Sequence, residues 1–335
     1  MDYPARDGDR GLARTDCMKL AVLAVASVAL IAPASQARTG GGTPVALVTA
    51  ETMNQLIAVE LPSGRILKRV PMPSDPQNVA VCGRTAAVVS VRSGAVTLVD
   101  TRTLKARRVL GGFASPHIPA CSPDGRYIYV TDDARGQLAV IGARVIRKLF
   151  VGYGAHHMAP SPDQPRLWIA LGERARSIAV VDTTNPARPR LIGHVVPHGL
   201  AHDLAFGPNG RRVWVTYDAG VHVRIFDAST QRPLKTLYGG APPQHVAFDP
   251  FSKARHAYVT SGGDGTLRVM SLATGRTQRV VRMPSGSFNL TPFGSFVLAS
   301  SLTNGTLTEL SGSGRVLLSR RVAPAARDTA VATLP

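Results

Sequence analysis

Histidine is the residue type in this chain whose number and spacing suggest chemistry. Six of the nine histidines stand close to one recurring position in the sequence, and these are His117, His156, His157, His198, His202 and His245. Neutral imidazole is the commonest metal ligand in proteins and suits zinc and copper, and its protonation near pH 7 also allows acid–base work or the binding of anions. Any of these roles requires that the fold bring the six side chains together.

The recurring position is the residue just before an apolar strand pattern that occurs seven times. The seven residues at this position are Gln77, His117, His156, His202, Gln244, Gly286 and Arg327. They are separated by 40, 39, 46, 42, 42 and 41 residues, and a propeller blade takes about 40–50 residues. The spacing therefore predicts an all-β fold, a seven-bladed β-propeller with four antiparallel strands in each blade.

The pattern inside each repeat supports this prediction. A turn such as Ser122-Pro123-Asp124-Gly125 precedes an alternating run, Tyr127 to Thr131, and further alternating runs follow at short intervals. The last repeat ends soon after Thr329–Ala332, whereas residues 45–72 supply three strands with no innermost strand before them. We therefore predict a single propeller domain, 44–333, whose ring is closed by pairing the C-terminal strand with the N-terminal blade.

In a propeller, the connections that lead into the innermost strands lie on one rim around the central channel. The sequence therefore predicts a polar ligand site at the channel mouth, with the histidines on one side and Arg327 and Asp328 across from them. The predicted site consists of His117, His156, His157, His202, Asp203, Gln244, His245, Arg327 and Asp328. The candidate metal ligands are His117, His156, His202 and His245, for a zinc or copper ion. The alternative is a wet rim that tolerates polar side chains without binding a ligand.

The N-terminal residues predict export. A basic segment precedes the apolar run Leu20–Ile31, and Ser35-Gln36-Ala37 provides the small residues that signal peptidases require. We expect a signal peptide over 1–37 that is cleaved near Ala37, followed by a short linker over 38–43; Met18 is an alternative start. The protein is then secreted or resides in the periplasm or cell envelope. The competing interpretation is an uncleaved membrane anchor.

The basic residues predict no particular partner. The chain has 39 lysines and arginines against 21 acidic residues, a formal net charge of +18. The arginines are scattered over the repeats and are not gathered with aromatic residues on one face, so specific nucleic-acid binding is not expected. The charge favours a small anionic ligand or an envelope or protein partner. We expect a monomer without a membrane span after signal removal.

Two cysteines remain after the signal segment. Cys82 and Cys121 occupy nearly the same place in adjacent repeats, offset by one residue. Export would place them where disulfides persist, but the offset is equally compatible with two buried thiols. Both alternatives stay open from the sequence.

Several motifs resemble those of the bacterial YVTN-type β-propeller repeat proteins. They are the Ser-Pro-Asp-Gly turn, the Tyr-Val-Thr strands at Tyr129–Thr131 and Tyr258–Thr260, and the apolar-apolar-Asp ending at Val181-Asp182. The resemblance covers roughly 44–333. It implies an exported seven-bladed propeller, commonly without enzymatic activity, and it implies no substrate.

The leading functional interpretation is therefore an exported binding or interaction module, with no cofactor required by the sequence and zinc or copper as the metals that its histidines suit. The alternative is an enzyme centred on the channel. One form is a metal-dependent oxidoreductase, since similar propellers in copper-containing nitrous-oxide reductases collect histidines at the hub. The other is a lactone hydrolase, because Pro243–Phe248 resembles a segment of the seven-bladed lactonase family, with Gln244 in place of that family's Arg. A lactone hydrolase requires a general base and a cationic group that stabilises the oxyanion, and His202 with Asp203, or Arg327 with Asp328, would supply them.

Overall fold

The computed structural model describes residues 42–172, 175–240, 242–249 and 254–335. The predicted signal peptide and all but the last two residues of the predicted linker lie outside these ranges. Within them the chain forms seven four-stranded sheets. Twenty-eight β-strands and one turn of 3₁₀ helix, Glu51–Met53, make up the regular structure there.

The first blade is assembled from both ends of the described chain. Its strands are β1 (Thr43–Ala50), β2 (Gln55–Glu60), β3 (Ile66–Pro71) and, in the innermost position, β28 (Thr329–Leu334). Strands β28 and β1 are antiparallel, with Val48 opposite Thr329 and Val45 opposite Ala332. The predicted ring closure is therefore confirmed.

The other six blades each use four consecutive strands. Blade two has β4 (Pro76–Cys82), β5 (Thr85–Ser90), β6 (Ala95–Asp100) and β7 (Lys105–Leu110), and blade three has β8 (Pro116–Cys121), β9 (Ile128–Asp132), β10 (Gln137–Ile141) and β11 (Val145–Phe150). Blade four has β12 (Met158–Pro160), β13 (Arg166–Ala170), β14 (Ile178–Asp182) and β15 (Arg190–Val195), and blade five has β16 (Ala201–Phe206), β17 (Arg212–Tyr217), β18 (His222–Asp227) and β19 (Pro233–Tyr238). Blade six has β20 (Val246–Phe248), β21 (His256–Ser261), β22 (Thr266–Ser271) and β23 (Thr277–Arg282), and blade seven has β24 (Ser287–Phe293), β25 (Phe296–Ser301), β26 (Thr306–Ser311) and β27 (Val316–Arg321).

Burial follows the position of a strand in its blade. The middle strands are covered on both faces by neighbouring blades and are largely apolar, as in β6, where every residue is buried. The outermost strands face solvent and carry basic side chains, as in β7, where five of six residues are exposed. Charged outer edges of this kind oppose edge-to-edge pairing with other molecules. The core therefore lies between the blades, with Trp168 and Trp214 fully buried in it.

The Tyr-Val-Thr motif fastens each blade to the next at both ends of its second strand. The hydroxyl of Tyr129 donates to the carbonyl of Pro186 in the following blade at 3.0 Å. At the other end, the hydroxyl of Thr131 donates to the carbonyl of His156 at 2.8 Å. The blades are thus joined by specific hydrogen bonds in addition to apolar packing.

The same fastening recurs around the ring at the channel mouth. In other blades the corresponding hydroxyls donate to the carbonyls of the next blade's innermost segment, from Thr49 to Gln77, from Thr216 to Gln244, from Thr260 to Phe288 and from Ser300 to Arg327. In blade two the Asn78 side chain donates instead to the carbonyl of His117 at 2.9 Å. Five of the seven residues predicted to be equivalent are therefore held by their carbonyls, Gln77, His117, His156, Gln244 and Arg327, whereas in blade seven the residue held is Phe288 and not Gly286.

The two cysteines are joined by a disulfide between the ends of β4 and β8. Their Cα atoms are 5.4 Å apart, and 39 residues separate them in sequence. Both lie at the ends of their strands opposite to Gln77 and His117. In the described part of the chain, no helix has the length and hydrophobicity that crossing a membrane requires.

Candidate metal centre at the channel mouth

Five histidines converge at the mouth of the channel. They line a cavity of about 200 Å³ together with Asn78, Gln244, Phe288, Asn289, Leu302 and Arg327. The five, here called the histidine cluster, are His117, His156, His157, His202 and His245. His198, the sixth histidine that the spacing placed here, instead lines a separate cavity with Tyr217, Asp218 and Arg224. That part of the expectation was wrong, because His198 lies four residues before His202, in the turn between Val195 and Ala201, and lines a different cavity.

The rings of the histidine cluster touch one another. His157 lies at the centre, with ring centroids 5.2 Å from His117, 4.9 Å from His156, 5.0 Å from His202 and 4.7 Å from His245. His117 and His156 are stacked, with centroids 3.7 Å apart and planes inclined by 16°. These five histidines therefore form a continuous set of ring contacts.

β-Bulges aim the rim residues into the channel. The register between first and second strands shifts between Pro116 and Pro119 in blade three and between Ala201 and Leu204 in blade five. A bulge bends its strand and leaves an extra residue outside the regular ladder. His117 and His202 lie within these bulges, so their side chains leave the strand pattern and enter the shared space.

Carboxylates hold four of the five imidazoles. Nδ1 of His156 lies 2.9 Å from Oδ2 of Asp133, and Nδ1 of His202 lies 2.7 Å from Oδ1 of Asp218. Because a carboxylate only accepts hydrogen bonds, Nδ1 carries the proton in each pair, and Nε2 is left with its lone pair. Carboxylate partners of this kind orient metal-binding histidines and raise their basicity.

The other two held imidazoles share one carboxylate. Asp203 places Oδ1 3.3 Å from Nδ1 of His157 and Oδ2 3.4 Å from Nδ1 of His245. The Oδ2 atom also accepts the backbone N–H of Val246 at 3.1 Å. Burial alone would raise the pKa of Asp203, but the side-chain hydrogen bonds from His157 and His245 outweigh it and lower that pKa. Asp203 is therefore an ionised carboxylate held between two rings.

Burial keeps His117, His157 and His245 neutral at pH 7. It lowers the pKa of His117 and of His157 well below the ordinary histidine value, and neighbouring imidazoles act in the same direction. Burial also lowers the pKa of His245, although Asp203 opposes it. Neutral rings are the form that binds metal ions.

Two groups of three histidines have the spacing that a metal ion needs. One group is His117, His156 and His157, and the other is His157, His202 and His245; within each, the nitrogen atoms lie within 4.8 Å of one another. Tetrahedral zinc with bonds of about 2.0–2.1 Å requires nitrogens about 3.3 Å apart, so modest side-chain rotation closes either group on an ion. His157 belongs to both groups, although the sequence pattern did not place it among the four candidate metal ligands.

The other predicted residues have different positions. Gln244 and Arg327 line the cavity, and Gln244 accepts the backbone N–H of Gly262 through Oε1 at 2.8 Å. Arg327 also lies 3.3 Å from the Glu51 carboxylate. Asp203 supports the cavity from behind, as described above.

The prediction that Asp328 faces the histidines across the opening was wrong. Its Oδ2 atom accepts the backbone N–H of Val79 in the next blade at 2.9 Å, which ties the closing strand to blade two. Burial raises the pKa of this carboxyl to about 6, while hydrogen bonds from backbone and from Asn289 act against the rise. Its place across the channel is taken by Asn289, which donates to Asn78 at 3.3 Å.

Two residues of the site were missed by the sequence analysis, Asp133 and Asp218. Asp133 directly follows β9, the second strand of blade three, and contacts His156 of blade four. Asp218 directly follows β17, the second strand of blade five, and contacts His202 of the same blade. The signal was available in the runs Tyr-Val-Thr-Asp-Asp and Val-Thr-Tyr-Asp. The sequence analysis did not use this signal, because the distance from the two carboxylates to His156 and His202 depends on how the end of a second strand packs against the start of an innermost strand. The predicted pairing of His202 with Asp203 was correspondingly wrong.

Solved structures share this architecture. A functionally unknown protein from Desulfotomaculum acetoxidans DSM 771 is 14% identical, with a TM-score of 0.74 over 87% of this chain and 99% of that chain. Apo AztD from Citrobacter koseri is 13% identical, with a TM-score of 0.68 over 87% of this chain and 98% of that one. Kuenenia stuttgartiensis hydrazine synthase is 18% identical, with a TM-score of 0.63 over 78% of this chain and 90% of that one. The shared fold is the β-propeller.

At these identities the likeness concerns the fold alone. No protein-family model matches the chain, and no curated protein matches it. The function therefore has to be argued from the channel mouth.

Proposed function

We propose that this protein is an exported β-propeller that binds a transition-metal ion, zinc or copper, in the histidine cluster. The observation that carries the proposal is the set of carboxylate contacts behind the rings. Four of the five imidazoles meet a carboxylate through Nδ1, at Asp133, Asp203 or Asp218. A merely wet rim has no need of this arrangement, whereas metal-binding histidines use it regularly.

The donor set favours zinc and copper over harder ions. The cavity offers imidazole nitrogens as its ligands, while its carboxylates are engaged behind the rings. Calcium and magnesium prefer oxygen ligands, and imidazole suits zinc and copper. Arg327 on the same cavity is placed to balance an anion that completes the coordination of the ion. The small anionic ligand expected from the sequence would then bind with the metal.

Metal titration of the full chain, produced without a polyhistidine tag, tests the proposal. We expect about one equivalent of Zn²⁺ or Cu²⁺ by elemental analysis after dialysis, and competition with a coloured chelator gives the affinity. The double variant His157→Ala/His245→Ala should lose this binding. The matched control is His222→Ala, which removes an exposed histidine outside the cluster. Equal metal content in the wild type and in the double variant would refute the proposal.

A second candidate function is a hydrolase, and one observation favours it. His202 and Asp218 form a hydrogen-bonded pair of 2.7 Å, an arrangement that supports a general base, and Arg327 lines the same cavity. Incubation of the metal-free and zinc-loaded protein with simple lactones distinguishes the two functions. Turnover that disappears in Asp218→Asn while metal content is retained would support the hydrolase, and absence of turnover in both forms would leave metal binding as the function.

A further inference from the structure

The histidine cluster divides into two sites that cannot be filled together. The first triad is His117, His156 and His157, and the second triad is His157, His202 and His245. His157 is common to both. Its Nδ1 atom faces Asp203 at 3.3 Å, so its Nε2 atom alone is available to a metal. One nitrogen lone pair binds one ion, and an ion in either triad therefore excludes an ion from the other.

The second triad is better organised for an ion. Its three rings are inclined to one another by 42°, 65° and 76°, so no two of them are stacked face to face. All three have carboxylate partners, His202 at Asp218 and the other two at Asp203. Such partners contribute about 10- to 100-fold to metal affinity.

The first triad is less well organised. His117 and His156 are stacked with an inclination of only 16°, so their in-plane lone pairs run nearly side by side. One ring has to rotate before both can bind the same ion. Carboxylates face His156 and His157 through Nδ1, whereas His117 is buried against the other rings.

The geometry points to a two-position metal site in which a single ion is held by the second triad and passes to the first through His157. This inference rests on the proposed metal binding and adds its internal organisation. Because His157 stays bound in both positions, the ion changes two ligands without entering water uncoordinated. The second triad, in which every ring has a carboxylate partner, sets the affinity, and the first triad is the weaker alternative position.

Cobalt(II), whose visible spectrum reports its ligands, tests this organisation in the full chain. Wild type should bind one equivalent. His245→Ala should still bind one equivalent in the first triad, with a changed spectrum and an affinity lower by about 10- to 100-fold. The double variant His117→Ala/His245→Ala, in which both triads are incomplete, should lose binding. His157→Ala should lose binding at both positions, and His222→Ala should match wild type.

His202→Ala should give the same result as His245→Ala, because it also removes one ring of the second triad. Thermal unfolding checks that each variant is folded, and His245→Gln replaces His245→Ala if the alanine variant is not. Two equivalents in wild type, loss of binding in His245→Ala as complete as in His157→Ala, or retained binding in His117→Ala/His245→Ala would each overturn the two-position site. Absence of any cobalt binding by wild type would refute the proposed function itself, and is thereby a separate outcome.

Discussion

His157 and His245, which come from the innermost segments of different blades, meet the two oxygens of one carboxylate, that of Asp203. The distances are 3.3 Å and 3.4 Å. Asp203 belongs to the strand between those segments, so a single side chain sets the orientation of two rings. This part of the site is consequently an assembly of three consecutive blades, four to six.

Asp203→Asn should weaken metal binding while leaving the fold intact. Asparagine offers one acceptor oxygen and one amide donor, so only one of the two rings keeps a partner for its Nδ1 proton. We expect an affinity about 10- to 100-fold lower by chelator competition. Asp249→Asn is the matched control, because Asp249 faces His256 at 3.2 Å outside the histidine cluster. Equal weakening in both variants would contradict a specific role for Asp203.

Asp328 should make stability fall as the pH rises. Its folded pKa is about 6 because of burial, against an ordinary value of 3.8. The folded protein therefore binds this proton more tightly than the unfolded chain does. As a result, the contribution of Asp328 to the free energy of unfolding decreases between about pH 4 and pH 6 and is constant above pH 6. Asp328→Asn lacks that decrease. The variant should gain roughly 1–3 kcal/mol relative to wild type between pH 4 and pH 7, measured by chemical denaturation.

The exposed turn residue Asp124 gives the opposite sign and serves as the control. Hydrogen bonding from Ser122 lowers the pKa of Asp124 below its ordinary value of 3.8, so its ionised form stabilises the fold. Relative to wild type, Asp124→Asn should lose stability as the pH rises to about 4, and the difference should stay constant from pH 4 to pH 7. If both variants shift in the same direction, the assignment of the pH dependence to buried Asp328 is wrong.

Removal of the disulfide should lower stability without changing the metal site. Cys82 and Cys121 close a loop of 39 residues in sequence, and loop-closure entropy for that length corresponds to about 4 kcal/mol. Urea unfolding of Cys82→Ala/Cys121→Ala should show a loss of this order. Metal affinity should be unchanged, because the bridge lies at the ends of β4 and β8 that are distant from the mouth. A loss of metal affinity would show that the bridge also positions the rim.

Removal of the last nine residues, 327–335, should cost far more than ordinary terminal trimming. The closing strand β28 pairs with β1, and the backbone of Arg327 donates to Thr49 at 2.9 Å. Its loss opens the ring and exposes the apolar surface between blades one and seven, so we expect the melting temperature to fall by more than about 10 °C. Removal of Pro335 alone should have little effect. A cooperative transition near the wild-type temperature in the truncated chain would contradict ring closure as a source of stability.

The sequence was informative about the fold because blades repeat. Seven anchor residues at intervals near 42 residues were sufficient to count the blades, and the surplus strand after Arg327 implied its partner β1. The same alignment brought His117, His156, His202 and His245 to one rim, because topology alone places equivalent connections together.

The alignment of the repeats could not predict the direction in which each side chain points. Asp328 follows an anchor residue as Asp203 does, yet its carboxylate turns to the backbone of Val79 while that of Asp203 turns to two rings. The stacking of His117 on His156 and the central place of His157 likewise depend on bulges and rotamers. For the cysteines, an offset of one residue left both alternatives open, and strand geometry decided between them.

The hydroxyls that fasten each blade to the next have a consequence for how this rim can change. Thr131 holds the carbonyl of His156, Thr216 holds that of Gln244, and Thr49 holds that of Gln77. Every amino acid has a backbone carbonyl, so these hydrogen bonds form whatever side chain the rim residue carries. The side chains at these positions of the channel mouth, and with them its chemistry, can therefore change one blade at a time while the hydrogen bonds that join the blades stay the same.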